Sequence, residues 1–237
     1  GRVALGSSAR CLSGRGGAGR PERFVPILRN VLDTIARADQ TRMMDGTKQI
    51  GVAARRSMQE IESGLDDVRR SPRARGRLEL VVRRPVPNER EVLDAGELDL
   101  ETGLVGDSWN QRSSKRTPDG SPHPDMQLNV INARFARLIA GSSHEHWALA
   151  GDQLYLDLDL SEAALPAGSR LALGTAVIEV TDQPHTGCVK FADRFGRDAH
   201  KIVNTPQGRA LRLRGLNAKV VVAGIIHPGD AVEVLGA

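Results

Sequence analysis

Aromatic side chains are scarce. Four Phe, two Trp and one Tyr make up 3% of the 237 residues. A core cannot rest on ring packing here and must be built from Leu, Val, Ile and Ala, for which the 40% hydrophobic content is sufficient. Cysteine is scarcer still: Cys11 and Cys188 alone exclude a disulfide framework and any CxxC metal pair. That usage points to a reducing, cytoplasmic compartment. No apolar run reaches about 18 residues, so no membrane span is expected. Acidic residues are thin at one end only. Residues 1–84 carry 18 Lys and Arg against 9 Asp and Glu, whereas the other 153 residues carry 15 against 20. The net charge of +4 therefore belongs to the N-terminal part, and no nucleic-acid partner is expected from it.

What is present divides the chain into three. Residues 1–23 are rich in Gly, Ser and Arg, bury little and are expected to be disordered. Beginning with Gly1, they read as a tag, a processed product or a misplaced start; a transit peptide would be similarly Arg-rich and acid-poor. Cys11 lies here as an incidental thiol. Residues 24–76 are expected to be helical. Val25, Leu28, Val31, Leu32 and Ile35 recur at helical spacing, and "SMQEIESGLDDVRR" (57–70) opens on Ser57 with Glu60 three residues on, the pattern of a capping box. Met43, Met44 and Met58 each offer a natural start, which sets residues 1–57 outside the expected functional unit.

Residues 77–237 change to short strands. "RLELVVRR" (77–84) alternates and stops at Pro85. "QLYLDLDL" (153–160) puts Leu154, Leu156, Leu158 and Leu160 on one face, with Tyr155, Asp157 and Asp159 on the other. "SRLALG", "AVIEVTD", "KVVVAGII" and "AVEVLG" follow between Gly, Pro and Asp turn signals. Two helical stretches interrupt them, 132–141 capped by Asn132 and 190–204. The expectation is a mainly β domain, a barrel or sandwich with a few helices, and not a doubly wound sheet.

The chemistry-bearing stretch is "QPHTGCVKFADRFG" (183–196). A thiolate is the reactive form of cysteine, and it is favoured near Lys, Arg, protonated His or a helix start. Cys188 has His185, Lys190 and Arg194 close in sequence and precedes a predicted helix. Pro184 fixes the start of the loop, and Gly187 would let a ligand approach the backbone. The bland alternative, a buried structural cysteine, stands beside this reading. A zinc site is not expected: His185 and Cys188 would need His200 or His227 to complete it. "HEH" (144–146) reads as a polar loop before Trp147, and "SPHPD" (121–125) as a surface loop. "GLVGDSW" (103–109) is either a turn whose Asp107 caps backbone amides or a loop approaching a ligand. Arg209, Arg212, Arg214 and Asn217 suit an anion equally with a solvated face.

Together these motifs resemble the MOSC family, named for the C-terminal domain of molybdenum cofactor sulfurases. Gly103, Leu104, Gly106 and Asp107 match its "GLxGD" loop. Pro184 and Cys188 match its "P-R-x-P-C" loop, from which His185 and Gly187 depart. The resemblance spans about residues 77–235. It implies a strand-rich barrel similar to the pyruvate kinase β-barrel domain, with Cys188 carrying a persulfide or ligating molybdenum in a pterin cofactor (molybdopterin). With its sequence neighbours His185 and Lys190, Cys188 makes up the expected catalytic set. The set for the cofactor would be Gly106, Asp107, Thr186, Arg194, Arg212, Arg214 and Asn217. Some relatives reduce N-hydroxylated bases. The full sulfurases charge this cysteine with a pyridoxal-phosphate desulfurase, and no lysine signature for that cofactor is visible here. The sulfur donor would then be a separate cysteine desulfurase, and a reductase would need an electron-transfer partner. Two other classes stand beside this one: a non-catalytic anion- or phosphate-binding barrel, and, ranked last, a Cys-His hydrolase, for which no third orienting residue is evident.

Overall fold

Ser57 begins the first helix. In the computed structural model, which describes residues 55–236, the Ser57 hydroxyl accepts from the Glu60 amide and the Glu60 carboxylate takes the Ser57 N–H at 2.7 Å. This is the expected capping box, and it opens α1 (Met58–Arg69). Ile61, Leu65 and Val68 form its buried stripe. The expected disorder of 1–23, the helix over 24–40 and Cys11 lie outside the described residues.

Eleven strands follow: β1 (Arg75–Arg83), β2 (Glu91–Leu93), β3 (Gly96–Asp99), β4 (Gly103–Leu104), β5 (Leu128–Asn132), β6 (Leu154–Asp157), β7 (Arg170–Leu173), β8 (Ala176–Val180), β9 (Leu216–Val222), β10 (Gly224–Ile226) and β11 (Ala231–Leu235). Seven close a barrel in the order β1-β6-β5-β9-β8-β7-β11, with β11 pairing back onto β1. Every neighbouring pair in it is antiparallel except β5 with β6. β2 hangs on β1, while β10, β3 and β4 form a second small sheet. Closure removes the free strand edges that would invite aggregation.

Two cores result. One contains Leu154, Leu156, Leu158 and Leu160 with Leu128, Ile178 and Val232, and the small sheet adds Leu98, Leu104 and Ile226 to it. The other lies on the opposite face of β1, β5 and β6, under the helices, and gathers Ile61, Leu65, Phe135, Trp147, Tyr155 and Phe195. Tyr155 does alternate with the leucines as expected, yet its face is buried: its hydroxyl donates to Trp147 O at 2.7 Å beneath α3 (His144–Ala148). That helix also corrects the reading of "HEH" as a loop; His144 leans on Trp147 with ring centroids 4.8 Å apart. In β1 the simple alternation fails. The register shifts between Leu78 and Leu80, so Leu78 joins the first core and Leu80 the second. A bulge of this kind moves the following side chains to the other face.

Asn132 caps α2 (Ala133–Ala140), its Oδ1 accepting from Phe135 N at 3.0 Å. The stretch 190–204, expected as one helix, is two: α4 (Val189–Phe195) and α5 (Arg197–Val203), broken at Gly196 with φ +94°. A left-handed residue ends a helix, and glycine takes that conformation without strain. α6 (Pro206–Ala210) completes the set. Among the described residues, no helix is long and apolar enough to cross a membrane.

The described residues form one compact unit, and the expected boundary at 76/77 falls inside it because α1 packs into the second core. Ile61→Ala should therefore cost about 2–4 kcal/mol in denaturant unfolding, whereas Val92→Ala at an exposed position should change stability by no more than about 0.5 kcal/mol. A near-neutral Ile61→Ala would show α1 to be an appendage.

Candidate functional site

The end of β1 delivers an arginine into the protein rather than out of it. Arg84 is 2% exposed. Its Nε and Nη2 donate to the two oxygens of Asp107, each at 2.8 Å, and its Nη1 donates to Asn129 Oδ1 and Gly151 O. Asp107 also accepts from the backbone amides of Arg84 and Trp109, both at 2.9 Å. The "GLVGD" turn thus holds Arg84, and Asp107 is the N-cap of the short 3-10 helix Ser108–Gln111. Gly106 (φ +79°) shapes that turn, in which a side chain would meet Arg83. Neither Gly106 nor Asp107 lines the cleft described next.

That cleft, of about 380 Å³, is lined by Arg84, Arg90, Arg112, Lys190, Arg194 and Arg214, by Asn129, Gly151 and Phe191, and by Cys188. Among the described residues, no carboxylate lines it. Two of the six cations are paired from behind, Arg84 with Asp107 and Arg214 with Asp152, the latter at 2.7 Å. Arg90, Arg112, Lys190 and Arg194 have no carboxylate within ion-pair distance among the described residues. Arg194 donates to Leu149 O at 2.6 Å, and Arg214 lies over the Phe191 ring at 5.0 Å. Burial, with Arg194 and Arg84 close by, pulls the Arg90 guanidinium down to about 10. Burial and then Arg84 also lower Arg112. Like charges gathered along one cleft repel one another. Two of its donors, Arg90 Nε and Arg214 Nε, are buried with no hydrogen-bond partner among the described residues.

Cys188 is exposed at this cleft. It is the N-cap of α4, but its side chain makes no capping bond; its carbonyl accepts from Phe191 N and Ala192 N. Gly187 serves a purpose different from the one expected. A side chain there would stand 2.7 Å from Val203 and 2.9 Å from Asn204, so its bareness lets the loop lie against α5. Gly187 N also donates to Asn204 Oδ1.

Of the predicted residues, the structure brings Cys188, Lys190, Arg194 and Arg214 together. His185, Thr186 and Arg212 line a separate cleft of about 160 Å³ on the other side of Arg214. Arg212 spends Nη1 on Leu165 O at 2.6 Å. His185 is not the cation that was expected: burial first, then Arg214 and Arg84, hold its imidazole well below the usual 6.5. Its Nδ1 has no hydrogen-bond partner among the described residues and sits 3.6 Å from Asp152 Oδ1. Asn217 is fully buried. It accepts from Asn129 Nδ2 at 2.7 Å and donates to Gln183 O, which ties β9 to the loop that carries Cys188. Arg84, Arg90, Arg112 and Asn129 were missed from sequence; the legible signal was Arg84 itself, an arginine running on directly from an apolar strand.

A family model described as "MOSC domain" matches residues 124–233. The chain carries a MOSC domain. The match includes Asn129, Cys188, Lys190, Arg194 and Arg214, whereas Arg84, Arg90, Asp107 and Arg112 precede it. Solved structures similar to the chain include the YUAD protein from Bacillus subtilis (18% identity, TM-score 0.47, covering 68% of this chain and 95% of that one). YiiM from Escherichia coli is another (20% identity, TM-score 0.45, 68% and 70%). No curated protein matches the chain. Among the described residues of this MOSC chain, no group of three or more His, Cys, Asp or Glu side chains converges on a metal position.

His185 sets a pH dependence. Its folded value lies below its unfolded one, so the unfolded chain binds the proton first, and stability contributed above about pH 6.5 is lost as pH falls. Chemical denaturation between about pH 7.5 and 5.5 should show this decline, with a shallower slope in His185→Gln. Parallel slopes would mean that His185 is solvated.

Proposed function

We propose that this MOSC chain binds a phosphate-bearing pterin cofactor of molybdenum in the Cys188 cleft and acts as a reductase of N-hydroxylated compounds. The observation that carries this reading is a cleft of six cations and no carboxylate around one exposed thiol. The residues fit such a group. Cys188 supplies the soft sulfur ligand that molybdenum takes. Arg90 and Arg214 supply buried, unpartnered donors of the kind a phosphate satisfies, and Lys190 and Arg194 add charge at the mouth. When bound, the cofactor provides two-electron redox chemistry. The protein would hold its anionic end, orient it by the guanidinium forks and leave the thiol side open to substrate. An electron-transfer partner would resupply electrons, in a reducing, cytoplasmic setting.

A second reading is favoured by exposure at one point. Cys188 is exposed and its neighbour Val189 is 74% exposed, so a protein such as a cysteine desulfurase would have access to the sulfur. Cys188 would then carry a persulfide.

Metal content and intact mass of protein from a cofactor-competent host separate these readings. Stoichiometric molybdenum, lost in Cys188→Ser, is the expected result. A mass gain of one sulfur atom at Cys188 without metal would replace the reductase with the carrier. Neither signal, with phosphate still bound, would leave only an anion-binding barrel.

A further inference from the structure

The Cys188 cleft is one side of Arg112. On the other side a smaller cleft, of about 170 Å³, shares Arg84, Arg112 and Asn129 with it and adds Trp109, His123 and Met126. Its make-up differs from that of its neighbours. The cleft behind the cysteine loop sets Glu162 and Asp182 among its arginines, so it carries its own counter-charges. Among the described residues, the Trp109 cleft has two guanidiniums and no carboxylate. It is also the only one of the three to combine an indole with a thioether, surfaces that favour a flat ring.

The guanidinium, amide and imidazole groups can be assigned, and Ser114 Oγ accepts from Arg116 N at 3.1 Å. Asn129 is spent, its Oδ1 on Arg84 and its Nδ2 on Asn217. Arg112 donates through Nε and Nη2 to Ser108 Oγ, at 3.3 and 2.9 Å, and no bond to Nη1 is present among the described residues. His123 Nδ1 accepts from Asp125 N at 3.2 Å, so in the neutral ring Nε2 carries the hydrogen and is a donor. The cleft therefore offers donors, and the exposed Arg112 guanidinium has no carboxylate within ion-pair distance among the described residues. A ligand carboxylate set on Arg112 Nη1 would gain a charge-assisted hydrogen bond.

We propose that this cleft binds a small single-ring aromatic carboxylate, its ring against Trp109 and Met126 and its carboxylate on Arg112. The size points to a small ligand: pockets for drug-sized molecules run to roughly 300–1,000 Å³, well above the volume here. The inference concerns binding alone and stands whatever chemistry Cys188 performs.

The test titrates the full chain calorimetrically with benzoate, benzamide and acetate. Benzoate should bind about tenfold more tightly than benzamide, which keeps the ring without the charge, and than acetate, which keeps the charge without the ring. Trp109→Leu and Arg112→Gln, checked for unchanged melting, should each weaken benzoate by about tenfold. Equal affinity for benzoate and either analogue, no saturable benzoate binding, or wild-type affinity in either folded variant overturns the proposal. The wild-type ligand series decides the matter should a variant fail to fold.

Discussion

The bidentate pair between Arg84 and Asp107 is the constraint on which the site depends. It links the end of β1 to the 103–109 turn, and through Arg84 Nη1 it reaches Asn129 on β5 and Gly151 ahead of β6. Both side chains are almost sealed from water, at 3% and 0% exposure. A buried pair of this kind contributes little net stability compared with an apolar packing, but loss of one partner strands the other. What it supplies is position: a guanidinium fixed between two clefts, with its charge matched from behind.

The remaining cations are arranged around that fixed point without such matching. Asp152 sits behind Arg214 as Asp107 sits behind Arg84, and burial raises its carboxyl while Arg214, Arg84 and Arg90 pull it down. Arg90, Arg112, Lys190 and Arg194 come from the segment before β2, the end of a 3-10 helix and the face of α4. The barrel core, built from leucine and valine, makes the rigid frame that keeps these groups close despite their repulsion. Stability in the frame and strain in the cleft are thus spatially separate, the arrangement expected of a binding site.

Much of the frame was legible in the sequence, because it rests on local rules. The Ser57–Glu60 box, the Asn132 cap and the leucine alternation of 153–160 are contained within a few residues each. Departures came where context overruled a pattern. The β1 bulge split a regular alternation, Gly196 divided one helical stretch, and "HEH" became helical over the Trp147–Tyr155 contact. The site was legible only in part. Cys188, Lys190 and Arg194 share one loop and helix and could be grouped by proximity, but Arg84, Arg90 and Arg112 arrive from about a hundred residues upstream. A charge count assigned the basic excess to the N-terminal part, although Arg84 belongs to the cleft. His185 resembles a cation by its neighbours in sequence, whereas burial lowers its imidazole well below the usual range.

The central claim is that the Cys188 sulfur faces a cleft dominated by unmatched positive charge. The most direct measurement compares alkylation of Cys188 by iodoacetate and iodoacetamide in a Cys11→Ser background, with and without pyrophosphate. The account predicts that the anionic reagent is favoured about tenfold or more relative to the same ratio for free cysteine, and that pyrophosphate or high salt abolishes the preference. A reagent ratio equal to that of free cysteine, indifferent to pyrophosphate, would contradict it.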